Sequence, residues 1–95
     1  MTTFDWVWDP NKAILNKRKH SVSFDLARLV FCDPCQLSMP DPHESGDRWR
    51  TLGLVGQVVL FVVHTLPEGS ERLVGRIISA RKATARERQA YEYGR

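Results

Sequence analysis

The sequence predicts an α+β fold with two N-terminal helices, an antiparallel (meander) β-sheet and a C-terminal helix. Three observations carry this. Helix-capping signals stand early, at Asp9-Pro10 and Ser23. After Cys35 the hydrophobic period changes to that of strands. Thr84 and Glu87 then stand three apart, the capping-box spacing of a helix start, just past the last strand-like run. At 95 residues the chain has room for one core and not two, so a single domain over residues 1–95 is expected.

Phe4, Trp6 and Trp8 alternate with Asp5 and Val7, the pattern of a short strand with one aromatic face. Asp9 is a good N-cap, and Pro10 fits the first helical position, where its missing N–H costs nothing. The helix it starts runs to about His20 and sets Lys12, Asn16 and His20 along one side. Ser23 caps a second helix with Asp25 in its first turn and Leu26, Leu29 and Val30 inward; Asp33-Pro34 ends it. Gln36 to Met39 is a short strand that Pro40 and Pro42 confine to a sheet edge. Arg48 to Leu54, Val58 to Thr65 and Arg72 to Ala80 are the main strands, joined by turns at Gly56-Gln57 and Pro67-Glu68-Gly69-Ser70. Val58 to Thr65 is the most apolar and is expected at the centre. The helices are expected on one face of the sheet, the last one capped by Thr84.

A net charge of +3 and a pI near 9.2 favour an acidic partner, without separating RNA from DNA, acidic protein or a membrane surface. The charge is segregated. Lys12, Lys17, Arg18 and Lys19 form one basic cluster, Arg76, Arg81, Lys82, Arg86 and Arg88 another, and Asp33, Asp41, Glu44 and Asp47 lie between. If the fold joins the two clusters they make one positive face. Met1 to Pro10 lacks the basic start and apolar stretch of a secretory signal, and the run Val58 to Val63 is far short of the ~20 residues that span a bilayer, so a cytoplasmic location and no membrane partner are expected. Cys32-Asp33-Pro34-Cys35 is a lone Cys-x-x-Cys. A structural zinc site takes four ligands, no second pair exists, and the setting is not that of a redox motif, so no metal site is expected even with Asp41 and His43 nearby. No glycine-rich phosphate loop supports nucleotide hydrolysis.

Taken in order, Trp8-Asp9-Pro10, Lys12-Ala13, Asn16, Lys19-His20, Val22-Ser23-Phe24, Asp33-Pro34, Asp41, Glu44, Arg48, Thr51, Gly53, His64-Thr65, the run Ile77 to Thr84, Glu87-Arg88 and Tyr91 closely resemble the BrnT family. These are small ribonuclease toxins of bacterial toxin–antitoxin pairs. The resemblance runs from Trp8 to Tyr91 and rests on the order and spacing of short blocks. It implies a fold similar to RelE toxins and an endoribonuclease that cleaves mRNA and inhibits translation, with no metal or organic cofactor. It also implies a cognate ribbon-helix-helix (BrnA-like) antitoxin that covers the basic face, operator DNA being bound only through the antitoxin complex. The alternative is a non-catalytic nucleic-acid-binding or antitoxin-titrating module on the same fold.

Metal-independent ribonucleases of this kind use in-line attack of a ribose 2′-OH on its own 3′-phosphate. They need one group to take the 2′-OH proton, one to protonate the departing 5′-oxygen, and cations for the phosphorane. Arg81 and Arg76 are the first candidates for the cations, since a guanidinium fork binds two phosphate oxygens. Their odd separation sends them to opposite faces of a regular strand, so both reach one site only if Arg81 lies past the strand end. Otherwise Arg81 is the stronger candidate, and the alternative for both is a solvated basic edge that merely discourages strand pairing. His20 and His64 are the acid–base candidates. His20 also suits the end of a helix, and His64 a hydrogen-bonded structural position beside buried strands. Lys12 contacts phosphate or stays solvated; Arg48 grips RNA or pairs with Glu44; Tyr91 stacks a base, donates a proton or packs. Lys19, Lys82 and Arg88 complete the expected RNA-binding set, while Trp6, Trp8, Phe24 and Phe31 read as core.

Overall fold

The computed structural model describes residues 3–94, with side chains from Asp5 onward, so the expected aromatic contribution of Phe4 lies outside the described residues. The chain order is β1 (Thr3–Val7), α1 (Pro10–His20), α2 (Phe24–Ala27), a 3₁₀ segment (Arg28–Cys32), β2 (Leu37–Pro40), β3 (Arg48–Val55), β4 (Val58–Thr65), β5 (Arg72–Lys82) and α3 (Ala85–Tyr93). One five-stranded sheet runs β1-β5-β4-β3-β2, with the apolar β4 at its centre as expected.

Two features correct the expected antiparallel meander with two N-terminal helices. The sheet is mixed, because β1 pairs in parallel with β5 and sets Trp6 beside Gly75. The second helix is a single α turn that tightens into the 3₁₀ segment. Asp33-Pro34 follows directly and ends the segment, because a residue before proline is pushed out of helical geometry, and the last turns before it are 3₁₀. The capping signals hold. Asp9 Oδ1 accepts the Asn11 and Lys12 backbone N–H groups, Ser23 Oγ accepts that of Leu26, and Thr84 and Glu87 form a complete capping box.

The outer edge of β5 explains the parallel strand. As the last strand of a meander it would expose an unpaired row of backbone groups. β1 covers residues 72–76, and further on Asn16 of α1 does the work of a strand with one side chain. Its Oδ1 accepts the Ala80 N–H at 3.1 Å, and its Nδ2 donates to the Ala80 carbonyl at 2.9 Å and the Val22 carbonyl at 3.0 Å. A buried primary amide thus mimics a peptide group and fixes α1 to the sheet edge.

Helices cover both faces, not one. On the packed face, Val22, Phe24, Ala27 and Val30 close over Leu60, Val62, Ile77 and Ala80, with Trp6, Trp8 and Phe31 at the rim. Close approach here depends on glycine: a Cβ at Gly53 would stand 2.7 Å from Val30 Cβ, and one at Gly75 would stand 2.4 Å from the Trp6 ring. On the opposite face α3 covers only one end, where Tyr91 packs with Leu52 and Val59 beside Leu37 and Phe61. The rest of that face is open.

Candidate active site

Cross-strand pairing decides which side chains share the open face. Val63 and Phe61 of β4 stand opposite Arg50 and Leu52 of β3, and opposite Ser79 and Arg81 of β5. The β4–β5 register then shifts by one, so that His64 stands opposite Ile77 and Ile78 is the extra residue of a β-bulge. The bulge reverses the parity of β5. Arg76, five residues before Arg81, therefore lies on the same face as Arg81, although Arg81 is inside the strand and not past its end. Arg48 joins this face opposite Thr65, whose Oγ1 accepts the Arg76 backbone N–H at 3.0 Å. The open face thus carries Arg48, Thr65 and Arg76 in one row, Arg50, Val63 and Ser79 in the next, and Leu52, Phe61 and Arg81 in the third.

These arginines differ in their partners. Arg81 is forked onto Glu87, with Nη1 donating to Oε1 at 2.7 Å and Nη2 to Oε2 at 3.0 Å, and its guanidinium lies 4.2 Å from the Phe61 ring centre. Hydrogen bonding to Arg81 holds the Glu87 carboxyl below its ordinary range and raises Arg81 in turn. Glu87 Oε1 also accepts the Thr84 backbone N–H, so Arg81, the capping box and the start of α3 form one unit. Arg48, Arg50 and Arg76 make no ion pair among the described residues, so Arg48 does not pair with Glu44. Arg50 is half-buried, and its Nε has no hydrogen-bond partner, which leaves a desolvated donor on this face.

Lys12, Lys19 and His20 of α1 line a groove with Asn16, Ile78 and Ser79. Ser79 belongs both to this groove and to the open face, so the groove that carries Lys12, Lys19 and His20 borders the open face at that residue. Lys82 and Arg88 are exposed around the start of α3.

His64 lies on the packed face, 3% exposed, with Trp6 and Phe31 edge-on to its ring. Its Nδ1 faces the Thr65 carbonyl at 2.8 Å, so Nδ1 carries the proton, and Nε2 accepts from Thr51 Oγ1 at 2.6 Å. Thr51 Oγ1 in turn accepts from Ser38 Oγ at 2.7 Å. Burial pushes the imidazole below its ordinary range, partly offset by the Thr65 hydrogen bond, and the ring is neutral. Tyr91 is 2% exposed, and its hydroxyl donates to Asp33 Oδ2, which also accepts the Leu54 N–H. Asp33 therefore ties α3 to β3, while its Oδ1 accepts the Cys35 N–H. His64 does not join the arginine face, and Tyr91, although it packs on that face against Leu52, is buried with its hydroxyl committed to Asp33. Cys32 and Cys35 are free thiols, and among the described residues no three His, Cys, Asp or Glu side chains are gathered as metal ligands.

Arg50 is the residue that the sequence reading passed over. The signal was present, since Arg48 and Arg50 stand two apart in a strand and so share a face.

Comparison with curated proteins gives no match. Residues 8–87 match the family described as ribonuclease toxin, BrnT, of type II toxin–antitoxin systems, and the chain belongs to that family.

Proposed function

We propose that the open face binds RNA and cuts it by attack of a ribose 2′-OH on its own 3′-phosphate, without a metal ion. The observation that carries this reading is a set of three arginines, Arg48, Arg50 and Arg76, on one open sheet face with no carboxylate partner among the described residues. Cations fixed on a rigid sheet suit the spread negative charge of a phosphorane and need little reorganisation as it forms. A phosphate over Thr65 and Val63 is flanked by all three. Arg81, held by Glu87 and Phe61, adds charge at the border and keeps α3 docked.

Proton transfer falls to the groove beside Ser79, where His20 acts as the acid–base group and Lys12 steadies negative charge. Lys19 extends the RNA path along α1, and Lys82 and Arg88 extend it at the other end. His64 and Tyr91 act as positioning residues, holding the strands that carry the arginines. The substrate is mRNA in the cytoplasm, and its cleavage slows translation. A BrnA-like ribbon-helix-helix antitoxin competes for the same face with acidic or hydrogen-bonding side chains, and operator DNA is reached through that antitoxin. The burial of His64 and Tyr91 favours a second reading, a non-catalytic module that binds RNA in a salt-sensitive way and leaves it intact.

The test is incubation of the protein, freed of antitoxin, with a defined RNA in excess chelator. Products ending in 2′,3′-cyclic phosphate are expected. RNA that stays intact until magnesium is added would contradict the metal-free reaction. RNA that stays intact throughout, in translation extract as well, would favour the binding module.

A further inference from the structure

Beyond the row of Arg48, Thr65 and Arg76, the end of the sheet holds a cavity of about 380 Å³, lined among others by Asp47, Trp49, Thr65, Leu66, Glu68 and Val74. Trp49, Leu66 and Val74 give it an aromatic and apolar part, the rest of its lining is polar, and its two carboxylates repel phosphate. A hydrogen bond from Ser45 holds the Asp47 carboxyl below its ordinary range, so it is ionised at neutral pH. The occupant this suits is a flat, uncharged ring with N–H donors on its edge. A cationic side chain from a protein partner is disfavoured by Arg48 next to Asp47 and by Arg76 on the far side of Thr65.

We infer that this cavity is a base-selecting pocket for the nucleotide beside the scissile phosphate, and that it takes guanine. The inference rests on the ribonuclease reading above for its place in the reaction. Guanine presents two adjacent donors, N1–H and the N2 amino group, that one carboxylate accepts together. Adenine and cytosine set a ring-nitrogen acceptor beside their amino group, and uracil flanks its N–H with two carbonyls, so each brings a repulsive lone pair against Asp47 or Glu68. Thr65 adjoins both pocket and arginine row, because its Oγ1 accepts the Arg76 backbone N–H and the residue also lines the cavity. Asp47 immediately precedes Arg48. A base seated in the cavity therefore brings its own 3′-phosphate onto the row of arginines.

The test is titration of the full chain, freed of antitoxin, with the four nucleoside 3′-monophosphates, followed by the NMR shift of the Trp49 indole N–H. Guanosine 3′-monophosphate is expected to bind about tenfold more tightly than the others, the discrimination of one good bidentate contact. In the D47N/E68Q double variant that preference should vanish, leaving a common residual affinity, whereas Arg76→Ala should weaken all four nucleotides alike and keep the preference. Asp47 and Glu68 are exposed loop residues, so either single substitution serves if the pair together disturbs folding. Equal binding of all four nucleotides, a preference that survives D47N/E68Q, or tighter binding of N-acetylarginine amide than of any nucleotide would overturn the pocket. Cleavage read in parallel separates the two readings. Guanine-selective binding without cleavage removes the ribonuclease reading and leaves the pocket standing, while cleavage with no guanine preference at the cut sites removes the pocket alone.

Discussion

The two faces of the central sheet are built from the same strands and treat their polar groups in opposite ways. On the packed face Ser38, Thr51 and His64 pass hydrogen bonds in one direction to the Thr65 carbonyl, so no donor is left over and the imidazole is neutral. On the open face Arg48, Arg50 and Arg76 have no carboxylate partner among the described residues, and Arg50 Nε is buried without any. A closed network stabilises a fold, whereas unpaired cations on a rigid surface are what a phosphate recruits. Side-chain parity along each strand sorts residues between these fates, and the bulge at Ile78 resets that parity in β5.

The sharpest way to break the contrast is to remove a cation from the open face. Arg76→Ala should lower RNA cleavage by about a hundredfold or more while the unfolding free energy moves by only about 0.5 kcal/mol. The converse is expected of Asn16→Ala. It strips partners from the Ala80 N–H, the Ala80 carbonyl and the Val22 carbonyl, and should cost about 3 kcal/mol in denaturant unfolding. Tyr91→Phe removes one hydroxyl from Asp33 and should cost about 1–2 kcal/mol, with the cleavage rate of the folded protein unchanged.

The smallest effect concerns pH. Burial holds His64 below its ordinary value of 6.5, so the unfolded chain binds the proton more tightly than the folded one. The stability due to the neutral ring is therefore complete above pH 6.5 and declines as pH falls below it, levelling off once the folded value is passed. Glu87, lowered from 4.5 chiefly by its hydrogen bond to Arg81, adds a separate loss only at more acid pH. Unfolding curves across these two windows should show the upper decline disappear in His64→Gln and the lower one persist.

Much of this fold was legible in local signals. Asp9-Pro10, Ser23 and the pair Thr84 and Glu87 are caps whose partners lie within a few residues, and all three form. The central place of Val58 to Thr65 followed from its unbroken apolar run. What was missed depends on distant parts of the chain. Nothing near Trp6 says that it pairs in parallel with Gly75, and a helical Asn16 gives no sign that its amide reaches Ala80, 64 residues on. The common face of Arg76 and Arg81 was hidden because spacing alone assumes a regular strand. Glu87 was readable as a capping residue, but its second use, gripping Arg81, requires the strand and helix to be placed together. Arg50 is different, since simple alternation with Arg48 would have found it.

The most direct test of the division between closed hydrogen-bond networks and unpaired cations is to measure the cleavage rate and the unfolding free energy together for Arg50→Ala, Arg76→Ala, His64→Gln and Tyr91→Phe. The account predicts that the two arginine variants lose cleavage with most of their stability intact, and that the other two lose stability but cut RNA normally when folded. A His64 or Tyr91 variant that is as stable as the parent but inactive, or arginine variants that cut at the parental rate, would contradict it.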